Sequence, residues 1–181
     1  MLGLVFTELM GFIERHHSEE ALDRVLDVVG LDHDGAYTAV GNYPHEEALS
    51  LVLTAGEVLG EDSNKMVVDF GRELFGRFKV LYPDFFADVD GALSFLERVE
   101  DHIHTEVKKL YTESQPPRLT TARDDEAMHV DYASHRPMAL LAQGLIEGCI
   151  AEYGNTHEVS RIDDDQHQGR TARFHVHPIA V

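Results

Sequence analysis

The stretch that decides the fold spans residues 102–136 and reads HIHTEVKKLYTESQPPRLTTARDDEAMHVDYASHR. It begins inside an amphipathic helix, because apolar residues recur every three or four positions there: Leu96, Val99, Ile103, Val107 and Leu110. Pro116 and Pro117 end the helical pattern, since proline lacks an N–H donor and restricts the residue before it. Residues 118–123 and 127–134 then predict two strands of a hairpin.

The rest of the chain follows the same order, with helices before this stretch and further strands after it. Upstream helices are predicted over residues 4–13, 18–29, 44–59, 62–78 and 89–111. Downstream, a helix over 137–153 precedes two closing strands near 158–162 and 170–181, which are joined by the polar turn Asp163–Gly169. We expect an α+β fold with a helical N-terminal half and an antiparallel four-stranded sheet, one helix being inserted between its two hairpins. One domain over 1–181 is expected, with subdomains over 1–62 and 63–181.

Composition narrows the classes of function. Fifteen Lys and Arg stand against 33 Asp and Glu, a formal charge of −18 that disfavours nucleic acid and anionic lipid as partners. No run approaches the ~18 apolar residues that a membrane helix needs. The lone Cys149 suits a reducing cytoplasm, where we expect the protein to be soluble. No convincing nucleophile, acid–base pair or phosphate loop is present, so we expect no enzyme.

Twelve histidines in the chain invite a search for ligands. His104 stands at the edge of the apolar stripe, whereas His102 shares the polar face of the same helix. A histidine beside apolar surface suits an axial haem ligand, because imidazole binds iron while the surroundings exclude water. A lone helical histidine is more often a surface or core residue, and the pattern alone leaves both interpretations open.

A second set of polar residues lies at the end of the second predicted strand. Tyr132 and Ser134 point the same way in an extended segment, and Arg136 can follow them. Two hydroxyls and a guanidinium can hold carboxylates such as the two propionates of a haem. A strand end with a helix-capping serine and a surface arginine is the alternative, which spacing alone favours.

In combination, these features resemble the H-NOX family of haem–nitric oxide/oxygen binding domains, related to the haem domain of soluble guanylate cyclase. The features that carry the resemblance are MLGLVF at 1–6, the distance from His104 to the paired prolines, Tyr-x-Ser-x-Arg at 132–136 and GLIEG at 144–148. The resemblance implies a haem buried between the two halves, with His104 as the iron ligand and Tyr132, Ser134 and Arg136 on the propionates. Pro117 matches a proline that bends the macrocycle in relatives. The chain has no Cys-x-x-Cys-His, so we expect noncovalent haem b.

The resemblance also indicates which gas the haem would bind. It places the first helix over the haem, so that apolar side chains would line the distal side: Val5, Leu9, Met138, Leu141 and Leu145. Oxygen-binding relatives carry a tyrosine in the helix after the motif, and Leu141 stands at that position here. We therefore expect a sensor of nitric oxide that also binds CO. The family implies that it regulates a separate histidine kinase or cyclic-di-GMP enzyme, usually in bacteria.

The C-terminal histidines support an alternative function. His175 and His177 share one face of the last predicted strand, and Cys149, His157 and His167 are possible companions. A haem-free, metal-binding regulatory protein would use this set. Exposed strand histidines without a metal explain the same pattern.

Overall fold

The computed structural model describes residues 1–163 and 167–179, in two compact units, Met1–Phe70 and Gly71–Val181. The helices are α1 Gly3–His16, α2 Glu19–Val29, α3 His45–Leu59, α4 Ser63–Leu81, α5 Ala92–Arg98, α6 Thr105–Leu110 and α7 Ala139–Glu152. A 3₁₀ turn spans Pro83–Phe86, and a π-helical segment spans Val99–His104. The strands are β1 Arg118–Asp124, β2 Ala127–Ala133, β3 His157–Asp163 and β4 Thr171–Pro178.

The first unit is helical. Gly60 ends α3 in the left-handed conformation, with φ 72°, which favours glycine because a Cβ would be strained there. Asp62 then begins α4 by accepting hydrogen bonds from the main-chain N–H groups of Asn64 and Lys65, at 2.8 and 3.0 Å. Large apolar side chains fill the core of this unit: Phe6, Leu9, Phe12, Ile13, Val25, Leu51 and Phe70.

The second unit is built on an antiparallel sheet with the strand order β1-β2-β4-β3. Two hairpins meet where β2 pairs with β4, with Val130 opposite Phe174. One face of the sheet is apolar and packs against α5 and α7: Met128, Val130, Tyr132, Ala172, Phe174 and Val176 are all buried. The other face carries polar residues, as the period of two along each strand requires. The sheet therefore has one buried and one solvated face.

A helical run from Ala92 to Leu110 positions the candidate ligand. α5, the π-helical segment and α6 follow one another without a break, and His104 is the last residue of the π-helical segment. The sequence predicts one regular helix from residue 89, whereas the helix begins after Gly91. Hydrophobic periodicity could not reveal the wider π turn, because the prediction assumes 3.6 residues per turn throughout. Leu110, expected in the apolar stripe, is 62% exposed.

The predicted fold class is confirmed, and the main differences lie at element boundaries. α4 continues from the predicted end at 78 to Leu81. The boundary between the two compact units falls inside α4, while the predicted subdomain boundary at 62/63 falls at the start of that helix. Residues 164–166, within the predicted turn, and residues 180–181, at the end of the predicted last strand, lie outside the described residues. None of the described helices combines the length and the apolar character of a membrane span.

Candidate functional site

His104 is held in a sheltered position by the residue one helical turn before it. Its side chain is only 13% exposed, whereas His102 is an exposed residue. Glu100 Oε2 lies 3.1 Å from His104 Nδ1. Burial lowers the pKa of His104, and although Glu100 opposes this effect, the net shift is downward. The downward shift favours the neutral imidazole, which is the form that binds metals.

Glu100 also contacts the first strand of the sheet. Its Oε2 accepts a hydrogen bond of 2.9 Å from the Leu119 main-chain N–H. Burial raises the pKa of the Glu100 carboxyl, but the hydrogen bonds from Leu119 and His104, together with the nearby basic groups His104 and Lys108, lower the pKa overall. The sequence interpretation missed Glu100. Its spacing of four residues from His104 on one helix was the available signal.

Tyr132, Ser134 and Arg136 converge as expected. Burial raises the pKa of the Tyr132 hydroxyl, while hydrogen bonds with Ser134 and the Met138 main chain and the charge of Arg136 oppose the rise. Ser134 Oγ accepts a hydrogen bond from the Arg136 main-chain N–H at 3.0 Å. The Tyr132 hydroxyl, near the end of β2, thus lies close to Ser134 and Arg136, which belong to the turn between β2 and α7.

The guanidinium of Arg136 reaches the loop that contains the paired prolines. Its Nη1 donates a 2.7 Å hydrogen bond to the carbonyl oxygen of Gln115, directly before Pro116. Pro117 is half-buried and precedes β1. Ser114 Oγ in the same loop is buried, and no hydrogen-bond partner for it is found among residues 1–163 and 167–179. This loop therefore links the helix of His104 to the polar group around Arg136.

The apolar residues expected on the distal side fall into both compact units. Met138 precedes α7, and it and Leu145 are half-buried against the core of the second unit. Leu141 lies one turn before Leu145 and is also half-buried. Val5 and Leu9 lie on α1 in the first unit, where Val5 is half-buried and Leu9 is buried. The role of all five as haem-lining residues stays a prediction.

The residues of the second unit fit a haem. His104 Nδ1 is hydrogen-bonded to the carboxylate of Glu100, which leaves Nε2 as the nitrogen that can bind iron. The polar group at Tyr132, Ser134 and Arg136 offers donors for carboxylates, and Ser114 Oγ has hydrogen-bonding capacity left over. Half-buried apolar side chains lie on the elements around these groups: Val99, Ile103, Leu119, Met138 and Leu145. This set of side chains can hold the iron and the propionates of a haem.

The C-terminal histidines are arranged differently from a metal site. The rings of His129 and His175 stack across β2 and β4 with centroids 4.6 Å apart, and His177 lies next along β4. Cys149 lies in the core instead, where its thiol is 3.7 Å from the Ala92 carbonyl oxygen. Within the part of the chain that the structure describes, no group of three or more His, Cys, Asp or Glu side chains is placed to hold a metal ion.

Comparison with known proteins identifies the family of the chain, whose fold is that of haem-based gas sensors. The family model described as haem-NO-binding matches residues 2–161. The chain therefore belongs to the haem-NO-binding, or H-NOX, family, as the sequence resemblance indicates. No curated protein sequence gave a significant match.

Solved H-NOX structures superpose on the whole chain. The protein from Shewanella woodyi, solved with IWP-051 in the Fe(II)CO state, is 33% identical, with a TM-score of 0.83 and coverage of 99% of this chain and 95% of that chain. The Fe(II)NO form from S. oneidensis is 21% identical, with a TM-score of 0.89 and coverage of 99% and 100%. The unliganded Fe(II) protein from K. algicida is 23% identical, with a TM-score of 0.89 and coverage of 100% and 98%.

Proposed function

We propose that the chain binds haem b through His104 and senses nitric oxide. The observation that carries this proposal is the hydrogen bond between Glu100 and His104 Nδ1, because it leaves a neutral, sheltered Nε2 for iron. The bound haem would supply a ferrous iron that coordinates diatomic gases. His104 would hold the iron through Nε2.

Tyr132, Ser134 and Arg136 would hold the propionates. Arg136 can bond a carboxylate with two N–H groups, and the hydroxyls of Tyr132 and Ser134 can donate to the same groups. A tyrosine hydroxyl is protonated at neutral pH, and burial raises the pKa of Tyr132 further, so its hydroxyl remains a donor. Pro117, adjoining β1, would contact the macrocycle, as the family resemblance implies.

The choice of nitric oxide rests on the lack of a hydroxyl at one position. Leu141 stands where oxygen-binding relatives carry a tyrosine, and Leu145 one turn later is also apolar. Bound O₂ gains partial negative charge and benefits from a hydrogen bond, whereas NO and CO depend on one much less. The solved H-NOX structures in the NO and CO states, from S. oneidensis and Shewanella woodyi, support the same pair of ligands for this chain.

The output would pass to a separate signalling protein in the cytoplasm. Family resemblance favours a histidine kinase or a cyclic-di-GMP enzyme, and the strongly acidic chain suits a partner with a basic surface. His104 ends the π-helical segment within the run Ala92–Leu110, so a change at this ligand would act first on that helical run. A ligand drives such a change only by its different affinity for the two states.

A titration with nitric oxide tests the proposed function. The reduced, haem-loaded protein is mixed with increasing NO, and its visible spectrum is recorded after each addition. We expect a saturable change with about one NO per haem, and a separate change with CO. A spectrum that does not respond to NO would contradict the gas-sensing proposal even if haem is bound.

A further inference from the structure

One oxygen of Glu100 joins the candidate iron ligand to the sheet. His104 Nδ1 lies 3.1 Å from Glu100 Oε2, and the Leu119 N–H donates to the same oxygen at 2.9 Å. His104 lies at the end of the π-helical segment, and Leu119 is the second residue of β1. The carboxylate is thus held from two elements, one of which carries the histidine.

The hydrogen bond determines which nitrogen of His104 carries the proton. An ionised carboxylate can only accept, so Nδ1 donates and Nε2 keeps its lone pair. In metal sites, a carboxylate on the second ring nitrogen fixes the orientation of the ring and raises the basicity of the ligand. The geometry around His104 provides both effects.

The neighbouring carboxylates have different surroundings. Asp101 is exposed, one residue beyond Glu100 on the same segment. Glu106 pairs with Lys109 Nζ at 2.6 Å. Among the hydrogen bonds of the described residues, the one that His104 makes to a carboxylate is with Glu100. Asp101 therefore offers a matched control for the charge of Glu100.

We propose that Glu100 is the positioning residue of the iron ligand. It fixes the Nδ1–H tautomer and the ring orientation of His104, and it strengthens the bond from Nε2 to iron by making the imidazole more basic. This inference rests on the proposed haem binding and adds to it a residue that sets the strength of the iron–histidine bond. Leu119 N–H keeps the carboxylate in the position that this role requires.

Resonance Raman spectroscopy of the ferrous, gas-free haem protein tests the proposal. The iron–histidine stretching frequency is compared among the wild type, Glu100→Gln, Glu100→Ala and the control Asp101→Asn. We expect a lower frequency in Glu100→Gln, whose amide is a weaker acceptor, and a still lower one in Glu100→Ala. Asp101→Asn removes the same charge from the same segment and should leave the frequency unchanged. Haem transfer to a haem-free myoglobin should become roughly 10–100-fold faster in Glu100→Ala.

Each outcome has a definite meaning. Equal frequencies in the wild type and both Glu100 variants, with native circular dichroism, would overturn the role of Glu100. An equal decrease in Asp101→Asn would also overturn it, because general charge would then explain the effect. If Glu100→Ala does not fold, the nearly isosteric Glu100→Gln decides the question. A wild type without bound haem would instead contradict the proposed function itself.

Discussion

At the scale of single residues, two histidines two positions apart have different surroundings. His104 is sheltered and hydrogen-bonded to Glu100, whereas His102 is exposed and contacts the edge of Phe85 with ring centroids 6.4 Å apart. A metal ligand needs a fixed ring and limited access of water. These conditions hold for His104, as helical phase and the family resemblance both indicated.

Substitution of the two histidines should separate their roles. His104→Gly should lose haem or retain it only when imidazole is supplied, because the substitution removes the imidazole that is proposed to hold the iron. His102→Ala should keep a spectrum close to that of the wild type. The measurement is the Soret absorbance per chain after desalting, with and without imidazole. A haem-free His102→Ala beside a haem-loaded His104→Gly would show that the ligand was assigned incorrectly.

Arg136→Ala should weaken haem retention. The substitution removes a charged partner from a propionate, which costs about 1.5–3 kcal/mol and accelerates haem loss roughly tenfold or more. It also removes the hydrogen bond to the Gln115 carbonyl oxygen. Arg123→Ala is the control, because Arg123 lies exposed at the other end of β1. Equal rates of haem transfer from the wild type and Arg136→Ala to haem-free myoglobin would count against this role.

At the scale of elements, glycines allow α7 to approach the second half of α4 closely. A Cβ at Gly148 would lie 2.7 Å from the Arg72 carbonyl oxygen and 2.8 Å from Phe75 Cβ. A Cβ at Gly71 would lie 2.8 Å from Gly144 Cα. Close backbone contact explains Gly148 of the GLIEG segment, because atoms of the neighbouring helix already occupy the space of a methyl group. This contact places Leu141 and Leu145 on a fixed helix.

Two glycine-to-alanine substitutions test that contact. Gly148→Ala should lower the free energy of unfolding by about 1–3 kcal/mol, because the methyl group collides with a backbone atom. Gly76→Ala on α4 should raise it by about 0.5–1 kcal/mol, since alanine loses less entropy in a helix. A Cβ at Gly76 would meet no atom of the described residues within 4 Å. Urea denaturation measures both changes, and stabilisation by Gly148→Ala would contradict the close approach.

Sequence periodicity predicted which elements form, and it failed where geometry departs from the regular repeat. Alternation along the last strand correctly predicted that His175 and His177 share one face, and the residues between and before them, Val176 and Phe174, are buried. The π-helical segment escaped prediction because its sequence is compatible with an ordinary helix. Glu100 was missed for a related reason: its partner Leu119 lies in another element, and a main-chain N–H leaves no mark in the sequence.

At the scale of the whole molecule, the resemblance carried the family assignment, and the haem-NO-binding match over residues 2–161 confirms it. Composition alone predicts only an acidic protein with one domain. The Tyr-x-Ser-x-Arg motif supplied the polar group, and the structure brings its three residues together. The identity of the gas and of the protein partner stays a prediction. Only a few side chains recognise either of them, and the overall fold does not determine those side chains.

Selectivity among gases tests the proposed role of Leu141 on the distal side. The ferrous protein should bind NO and CO but form no stable O₂ complex in air, because leucine at this position offers no hydroxyl to bound O₂. Leu141→Tyr should increase O₂ affinity roughly tenfold or more, which corresponds to about 1.5–3 kcal/mol for a hydrogen bond to a charged acceptor. Leu140→Tyr adds the same hydroxyl to a different face of α7 and should leave O₂ affinity unchanged. Visible spectra in air-saturated buffer measure the effect, and a persistent oxy spectrum in the wild type would contradict it.

The central claim is that this chain holds haem b, and the visible spectrum of the purified protein tests it most directly. The protein is produced in cells supplied with ample haem, desalted and assayed by pyridine haemochrome. We predict a Soret band and about one noncovalent haem b per chain, extractable with acidified solvent because Cys149 is the one cysteine in the sequence. A folded protein with native circular dichroism and no Soret band would contradict the account.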